Sequence, residues 1–263
     1  MADGSSADGS LLEQPPADLL GGDEALLASP PRPSRAVVRW YRATCAAVVL
    51  GFAQRLRSAQ LVDRLRADAR GVALLERRAG GGAVLLDEHM LCLTVALGLP
   101  HPLVGDDLTE SYRWLGDRFV GALRGLGVAG ARRVETAEAR ANVLTLRSRA
   151  DSVADLLRAS CYGAVSPHEV VCDGRKLVGF AQVRRRDVAL YQAGLLLRDQ
   201  APLADLLRIP DSAVREAYRH ELAARTVGLD DLLAIVPDAT TLARHLAAPL
   251  VSQLRSGGND ETR

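Results

Sequence analysis

Residues 161–197 read CYGAVSPHEVVCDGRKLVGFAQVRRRDVALYQAGLLL. HEVVCD, GRKLVGFAQVRR and DVALYQAGLLL are short runs rich in β-branched, aromatic and apolar residues, which predict strands. Asp173-Gly174 separates the first two, and Asp-Gly is a strong signal for a two-residue hairpin. Strands joined this closely pair antiparallel, because a parallel pair needs a crossover of a dozen residues or more. Working outward, AVVRWY and AAVVLGF predict two strands joined by a turn near Arg42-Ala43-Thr44, and GVALLERR predicts another. AGGGA reads as a glycine-rich turn, and VLLDEHMLCLTVAL as further strand broken near Asp87-Glu88. Helices are expected over Gly22 to Ala28 (stopped by Pro30, Pro31 and Pro33), Gln60 to Arg70 and Asp107 to Leu126. In the last, Tyr112, Leu115, Phe119, Leu123 and Leu126 recur at helical spacing. Ser152 to Ala159 predicts a short helix, and the tail predicts helices over Asp211 to Ala224, Leu229 to Ile235 and Thr240 to Arg255. Residues 133–150 have no clear period. Interleaved helices and hairpin-joined strands predict an α+β single domain, a mostly antiparallel mixed sheet flanked by helices. Residues 1–18 are expected to be a disordered tail, 19–255 the domain, and 256–263 frayed.

The chain has 263 residues, 48% apolar and 25% charged, a globular composition. Its net charge of +1 gives no bulk attraction for nucleic acid or an anionic membrane. No apolar run approaches the ~20 residues of a membrane span. MADGSSADGS lacks the basic and apolar regions of a secretory leader. Four cysteines, at 45, 92, 161 and 172, form no CxxC and no zinc-ligand spacing with histidine. Free thiols, a cytoplasmic location and no metal site are therefore expected. Cys45, Cys92 and Cys172 read as core.

Among 33 basic residues there is one lysine, Lys176. Surface charge is met by arginine, so a lone lysine points to a need for a compact amine. It lies in GRKLVG on a strand after the hairpin turn, where an ammonium can stabilise charge that develops at a carbonyl or phosphate. Arg77-Arg78-Ala79-Gly80-Gly81-Gly82-Ala83-Val84 is the second candidate. Its glycines allow close backbone approach to an anion, and its arginines add forked donors. The pattern is neither GxxxxGK[ST] nor GxGxxG opening a helix. Cys161 is the third candidate, since a thiol can carry an acyl group as a thioester. His89, His101, His168, His220 and His245 are scattered, and no GxSxG elbow exists. Arg184-Arg185-Arg186 reads as a solvated face or a dock for an acidic protein.

ERRAGGGAVLLD followed by DGRKLVGFAQVRRR resembles the lipoate–protein ligase and octanoyltransferase family, related to biotin–protein ligases. GGDEALLA, VVRWYRATCAAVVLGFAQR and DDLTESYRWLGDRFVGALRGLGV resemble flanking pieces, so the likeness spans residues 20–250. It implies a biotin/lipoate-ligase-like catalytic domain with a narrow acyl tunnel. It also implies an amide product on a lysine of a lipoyl domain or the glycine-cleavage carrier protein. By position, Arg77, Arg78, Gly80, Gly81, Gly82 and Ala83 would line the carboxyl or adenylate end. Lys176 would contact the acyl carbonyl and any α-phosphate, and Gly179 and Ala181 would admit the acyl chain. The family's motif after the lysine strand is met here by Tyr191-Gln192-Ala193-Gly194, in which Gln192 alone fits, and Phe180 stands where a small residue is usual.

The resemblance leaves two chemistries open. A ligase makes an acyl-adenylate from lipoate and ATP with Mg²⁺, in some cases with a separate accessory subunit. A transferase takes an octanoyl group from a carrier protein onto Cys161 and needs no cofactor. The ligase-like chemistry is the first expectation, on the Gly-Gly-Gly run. A non-catalytic protein that binds an acyl ligand or a lipoyl domain is the rival of a different class.

Overall fold

The computed structural model describes residues 8–256. Its strands are β1 (Leu11–Gln14), β2 (Ala36–Ala43), β3 (Ala47–Leu50), β4 (Ala73–Glu76), β5 (Val84–Leu86), β6 (Met90–Gly98), β7 (Ala131–Arg133), β8 (Val170–Cys172), β9 (Arg175–Arg184) and β10 (Val188–Leu196). The helices are α1 (Pro16–Ala28), α2 (Ser58–Leu61), α3 (Arg64–Ala69), α4 (Arg113–Gly125), α5 (Thr136–Ser148), α6 (Ser152–Ala159), α7 (Ser212–Arg225) and α8 (Ala239–Ser256). Seven strands form one sheet in the order β1-β2-β6-β10-β9-β8-β7, and β4-β3-β5 form a second. The large sheet is antiparallel except for β1 on β2, and the small one pairs β3 parallel to β4 and antiparallel to β5. This is the α+β architecture expected.

The hairpin reading of 161–197 holds in detail. Asp173 and Gly174 both have positive φ, 50° and 77°, the geometry of a type I′ turn. β9 and β10 then pair in register from Ala189↔Arg184 to Leu195↔Val178. One apolar cluster fills the space between the large sheet and α4 and α8, around Trp40, Leu93, Leu115, Leu123 and Tyr191. A second lies where the small sheet packs toward β6, α6 and α7, around Val48, Leu50, Leu157, Tyr162 and Tyr218.

Several boundaries differ from the sequence reading. Residues 11–14 are not a disordered tail but an edge strand on β2, and α1 starts at Pro16, where its missing N–H costs nothing. The two runs around Arg42-Ala43-Thr44 do not make a hairpin: β2 belongs to the large sheet and β3 to the small one. The helix expected over 60–70 is two pieces, because Val62 turns extended to bridge Leu207 and Asp63 caps a new start at Arg66 N–H. α5 occupies residues without a clear period, since only Ala139 and Leu146 of it are buried. The piece expected over 229–235 is a 3₁₀ turn, Leu229–Asp231. Cys45 is exposed in the connection between the sheets rather than core, while Cys92 and Cys172 are buried, and all four thiols are free. Residues 1–7 and 257–263 of the expected tails lie outside the described residues. No helix among the described residues is long and apolar enough to cross a membrane.

Candidate active site

The glycine loop and Cys161 are fastened to each other. The loop runs from the end of β4 to β5, and Cys161 follows α6. An isolated parallel bridge joins Ala83 to Ser160: Ala83 N–H donates to Ala159 O at 2.8 Å, and Cys161 N–H donates to Ala83 O at 2.8 Å. The glycines are needed for closeness. A Cβ on Gly82 would lie 2.5 Å from Ala159 O, and one on Gly51 would lie 1.9 Å from Gly81 O. Gly81 has φ +97°, and a Cβ there would stand 2.7 Å from the Arg77 guanidinium and 3.8 Å from Cys161 Sγ. Among the described residues, the N–H groups of Gly80, Gly81 and Gly82 meet no acceptor.

Arg77 does not point its charge outward. Its Nε and Nη2 donate to Gly80 O at 3.1 and 2.9 Å, and Nη2 also donates to Gly82 O at 3.1 Å. Arg78 swings to the other side, half exposed, and pairs with Glu24 at 3.0 Å.

Lys176 is buried, with 1% exposure. Its ammonium has three protons, and three acceptors meet them: Glu169 Oε2 at 2.7 Å, Cys161 O at 2.7 Å and Ala164 O at 3.2 Å. The Tyr162 ring lies 4.9 Å from Nζ. Glu169 is equally enclosed and accepts from Ser166 N–H at 2.7 Å and Phe180 N–H at 3.0 Å. The lone lysine thus works as an internal cation that ties β9 to the segment carrying Cys161. It does not line the cleft.

That cleft lies between the two sheets and offers about 70 Å³ to the centres of water-sized spheres. Leu20, Val49, Val84, Leu86 and Met90 form apolar walls, while Cys161, Arg77 and Gln192 supply polar atoms. Gly179 and Gly194 face each other across β9 and β10. The room they leave is taken by Tyr162, whose hydroxyl donates to Gly194 O at 2.6 Å; a Cβ on Gly194 would stand 2.7 Å from the Tyr162 hydroxyl oxygen. A Cβ on Gly179 would meet Lys176 Cε at 3.0 Å. Phe180 sends its ring to the opposite face of β9, as strand alternation requires. It stacks there on Tyr112 and packs on Phe119, at centroid distances of 6.0 and 5.9 Å, while Phe180 itself still counts among the residues that line the cleft.

Cys161 and Cys92 both line the cleft. Burial pushes the Cys92 thiol well above its ordinary value, which keeps it an unreactive S–H. Cys161 is half-buried at the glycine loop.

Gln192 is held from behind. Its Nε2 donates to Asp23 Oδ2 at 2.7 Å, and its Oε1 has no partner. Asp23 sits on α1, 4% exposed, and also takes Arg39 Nη1 at 2.5 Å and the Thr94 hydroxyl at 3.0 Å. Burial raises the Asp23 carboxyl, and Arg39 opposes that rise. An acceptor-only carboxylate turns the amide nitrogen of Gln192 toward itself and leaves Oε1 for the cleft.

Of the residues singled out from sequence, Cys161, Arg77, Gly179, Ala181 and Gln192 meet at the cleft, and Gly80, Gly81, Gly82 and Ala83 form its fastened edge. Lys176 and Arg78 are not among the cleft's lining residues. Asp23, Tyr162 and Glu169 were missed. The signal for Glu169 was present, since a single buried ammonium requires a carboxylate.

An apolar slot between two sheets, with a thiol fastened to a glycine loop at its side, defines a domain built to handle an acyl chain. The family model for the lipoyl protein ligase A/B catalytic domain matches residues 15–250. The chain belongs to that family of acyl-transfer enzymes. The octanoyltransferase LipM of Kyrpidia tusciae is 32% identical over 199 residues, 75% of this chain and 68% of that protein. LipM of Geobacillus kaustophilus is 29% identical over 226 residues, 83% of this chain and 75% of that one. Among solved structures, the bipartite lipoate–protein ligase of Thermoplasma acidophilum superposes with a TM-score of 0.68 at 21% identity. That alignment covers 92% of this chain and 82% of the other. A lipoate–protein ligase A structure gives 0.62 at 23% identity, covering 91% and 83%.

Proposed function

We propose that this enzyme is a cysteine-dependent transferase. It moves an octanoyl or lipoyl group from a carrier-protein thioester onto Cys161 and then to a lysine of a lipoyl domain or the glycine-cleavage carrier protein. The observation that carries the reading is Cys161, a half-buried thiol that lines the apolar cleft 3.8 Å from a Cβ position on Gly81. The curated relatives' names, octanoyltransferase LipM, support the same chemistry.

In the first half-reaction, Cys161 sulfur attacks the donor's thioester carbon, the carrier sulfur leaves with the proton that Cys161 gives up, and the acyl chain lies between the sheets. The unpartnered N–H groups of Gly80–Gly82 are the donors on hand for the oxyanion. In the second, the neutral acceptor amine attacks the new thioester, an amide forms, and the amine's proton returns to the Cys161 sulfur. Gln192 Oε1 is the free acceptor for an N–H of that amine. Lys176 and Glu169 position the Cys161 backbone.

The alternative is an acyl-adenylate made from ATP with Mg²⁺. The cations that would meet its phosphate are already engaged within the protein: Lys176 with three acceptors, Arg77 with the loop carbonyls and Arg78 with Glu24. As they stand, these three cations are not free to meet a phosphate, and the glycine-loop N–H groups alone carry no compensating charge.

Intact mass of an apo lipoyl domain separates the chemistries. Octanoyl-carrier protein without ATP is expected to add one acyl mass to the domain, with a transient adduct on the enzyme that Cys161→Ser abolishes. Modification that requires lipoate, ATP and Mg²⁺ and survives Cys161→Ser overturns the transferase reading.

A further inference from the structure

The segment between β3 and β4 is unusually basic and apolar for an exposed connection. Residues 52–66, FAQRLRSAQLVDRLR, hold four arginines and one acid, Asp63, in a chain whose net charge is only +1. Asp63 is spent internally, capping Arg66 N–H and pairing with the Arg66 side chain at 3.1 Å. Among the described residues, Arg55, Arg57 and Arg64 have no acidic partner, and the Arg55 guanidinium lies over the Phe52 ring at 3.8 Å. Of the six large apolar side chains exposed on the described residues, three are here: Phe52 at 45%, Leu56 at 87% and Leu65 at 83%. Single exposed apolar residues need no explanation, but a concentration of them among unpaired charges marks an interaction surface.

Its position ties it to the site. Phe52 N–H donates to Ala79 O at 3.0 Å, and Gln54 Nε2 donates to Ala159 O at 2.7 Å. The segment therefore contacts both the residue that opens the glycine run and the residue before Ser160, on the two sides of the bridge that fastens Cys161 to the glycine loop.

We propose that residues 52–66 are the docking surface for the acyl donor, an acidic carrier protein that presents its thioester to Cys161. This rests on the transferase reading above. Charge complementarity selects the partner: three guanidinium groups without a carboxylate partner favour a carboxylate-rich surface, and Phe52, Leu56 and Leu65 require apolar residues among those carboxylates. A tethered acyl group needs such a dock, because its carrier is too large to enter the slot and must be held at its edge while the chain threads in.

The test compares two donors of the same acyl group, octanoyl on an acidic acyl carrier protein and octanoyl on N-acetylcysteamine. The acylation rate of Cys161 is read by intact mass on the full chain. Arg57→Glu/Arg64→Glu, two exposed substitutions outside the cleft, are expected to slow acylation from the carrier by about tenfold or more. The rate from the small thioester should stay within about twofold of wild type. Raising the salt from 50 to 300 mM is expected to slow the wild type with the carrier alone. An unchanged carrier rate in the variant, or an equal fall with both donors, overturns the proposal. A loss confined to transfer from pre-acylated enzyme to a lipoyl domain assigns the surface to the acceptor and also overturns it. If neither donor acylates wild-type Cys161, the transferase reading falls and takes the dock with it.

Discussion

Replacing Lys176 by Met removes a cation that the fold has enclosed, and the size of the loss follows from its partners. Glu169 would keep two backbone donors, Ser166 and Phe180 N–H, but lose its one counter-charge within salt-bridge distance among the described residues. Cys161 O and Ala164 O would each lose a donor. Breaking a buried ion pair from one side costs about 3–5 kcal/mol. At roughly 2–4 °C per kcal/mol for a chain of this size, the melting temperature should fall by about 6–20 °C. Calorimetry or circular dichroism reads it. Lys176→Met/Glu169→Gln removes both charges, and it should be less destabilised than the sum of the single variants by about 0.5–3 kcal/mol. A lysine whose ammonium reached into the cleft, as the family resemblance implies, would behave otherwise. Its loss would abolish acyl transfer and shift stability by no more than about 0.5 kcal/mol, like an ordinary surface change. A Lys176→Met protein that melts within about 2 °C of wild type yet is inactive refutes the positioning role.

Gly51→Ala places a Cβ 1.9 Å from Gly81 O, backbone against backbone, so the glycine loop must move. Acylation of Cys161 should drop at least about tenfold, whereas Gly121→Ala, which meets no atom within 4 Å, should leave it unchanged. Asp23→Leu frees the Gln192 amide to rotate and leaves Arg39 without its carboxylate; it should destabilise the fold by about 3–5 kcal/mol in urea. Burial holds the His168 and His101 imidazoles below their ordinary value of 6.5. The unfolded chain therefore binds their protons first, and stability should be full above pH 6.5 and decline as pH falls below it. Urea titrations at pH 7.5 and 5.5 measure the decline, and His168→Asn, which tolerates the φ of +69°, should shrink it. A curve for the variant as steep as wild type would assign the decline to other groups.

The parts legible in the sequence are those in which local pattern and tertiary partner coincide. Asp173-Gly174 needs only its own two positive φ angles to set the β8–β9 turn, and β10 pairs with the strand just before it. The periodic stripe of α4 faces one continuous core. Where partners are distant, pattern failed. β3 is buried throughout as AVVL, so no alternation tells whether it continues beside β2 or leaves for the small sheet. β1 is four residues held by parallel bonds to a strand 29 positions on, which a polar flank cannot announce. α5 buries two residues seven apart, too narrow a stripe to read as a helix.

The site divides in the same way. Composition singled out Lys176, and the glycine run singled out its loop, because both are local anomalies. What neither discloses is direction. The compact amine was expected to face substrate, yet three acceptors surround it, and a carboxylate seven residues upstream balances it. The same direction test separates the two cleft thiols. Cys92 lies on β6, where every residue from Met90 to Gly98 is buried and desolvation holds the thiol protonated. Cys161 stands where the chain leaves α6 for a loop, its N–H given to Ala83 and its carbonyl to Lys176. With both backbone groups engaged, the side chain is the part of Cys161 left to turn toward the slot. The lysine and the glycine loop thus serve one end, holding a single thiol still at the edge of an apolar cavity, and a chemistry that begins with attack by that thiol is the one this arrangement favours.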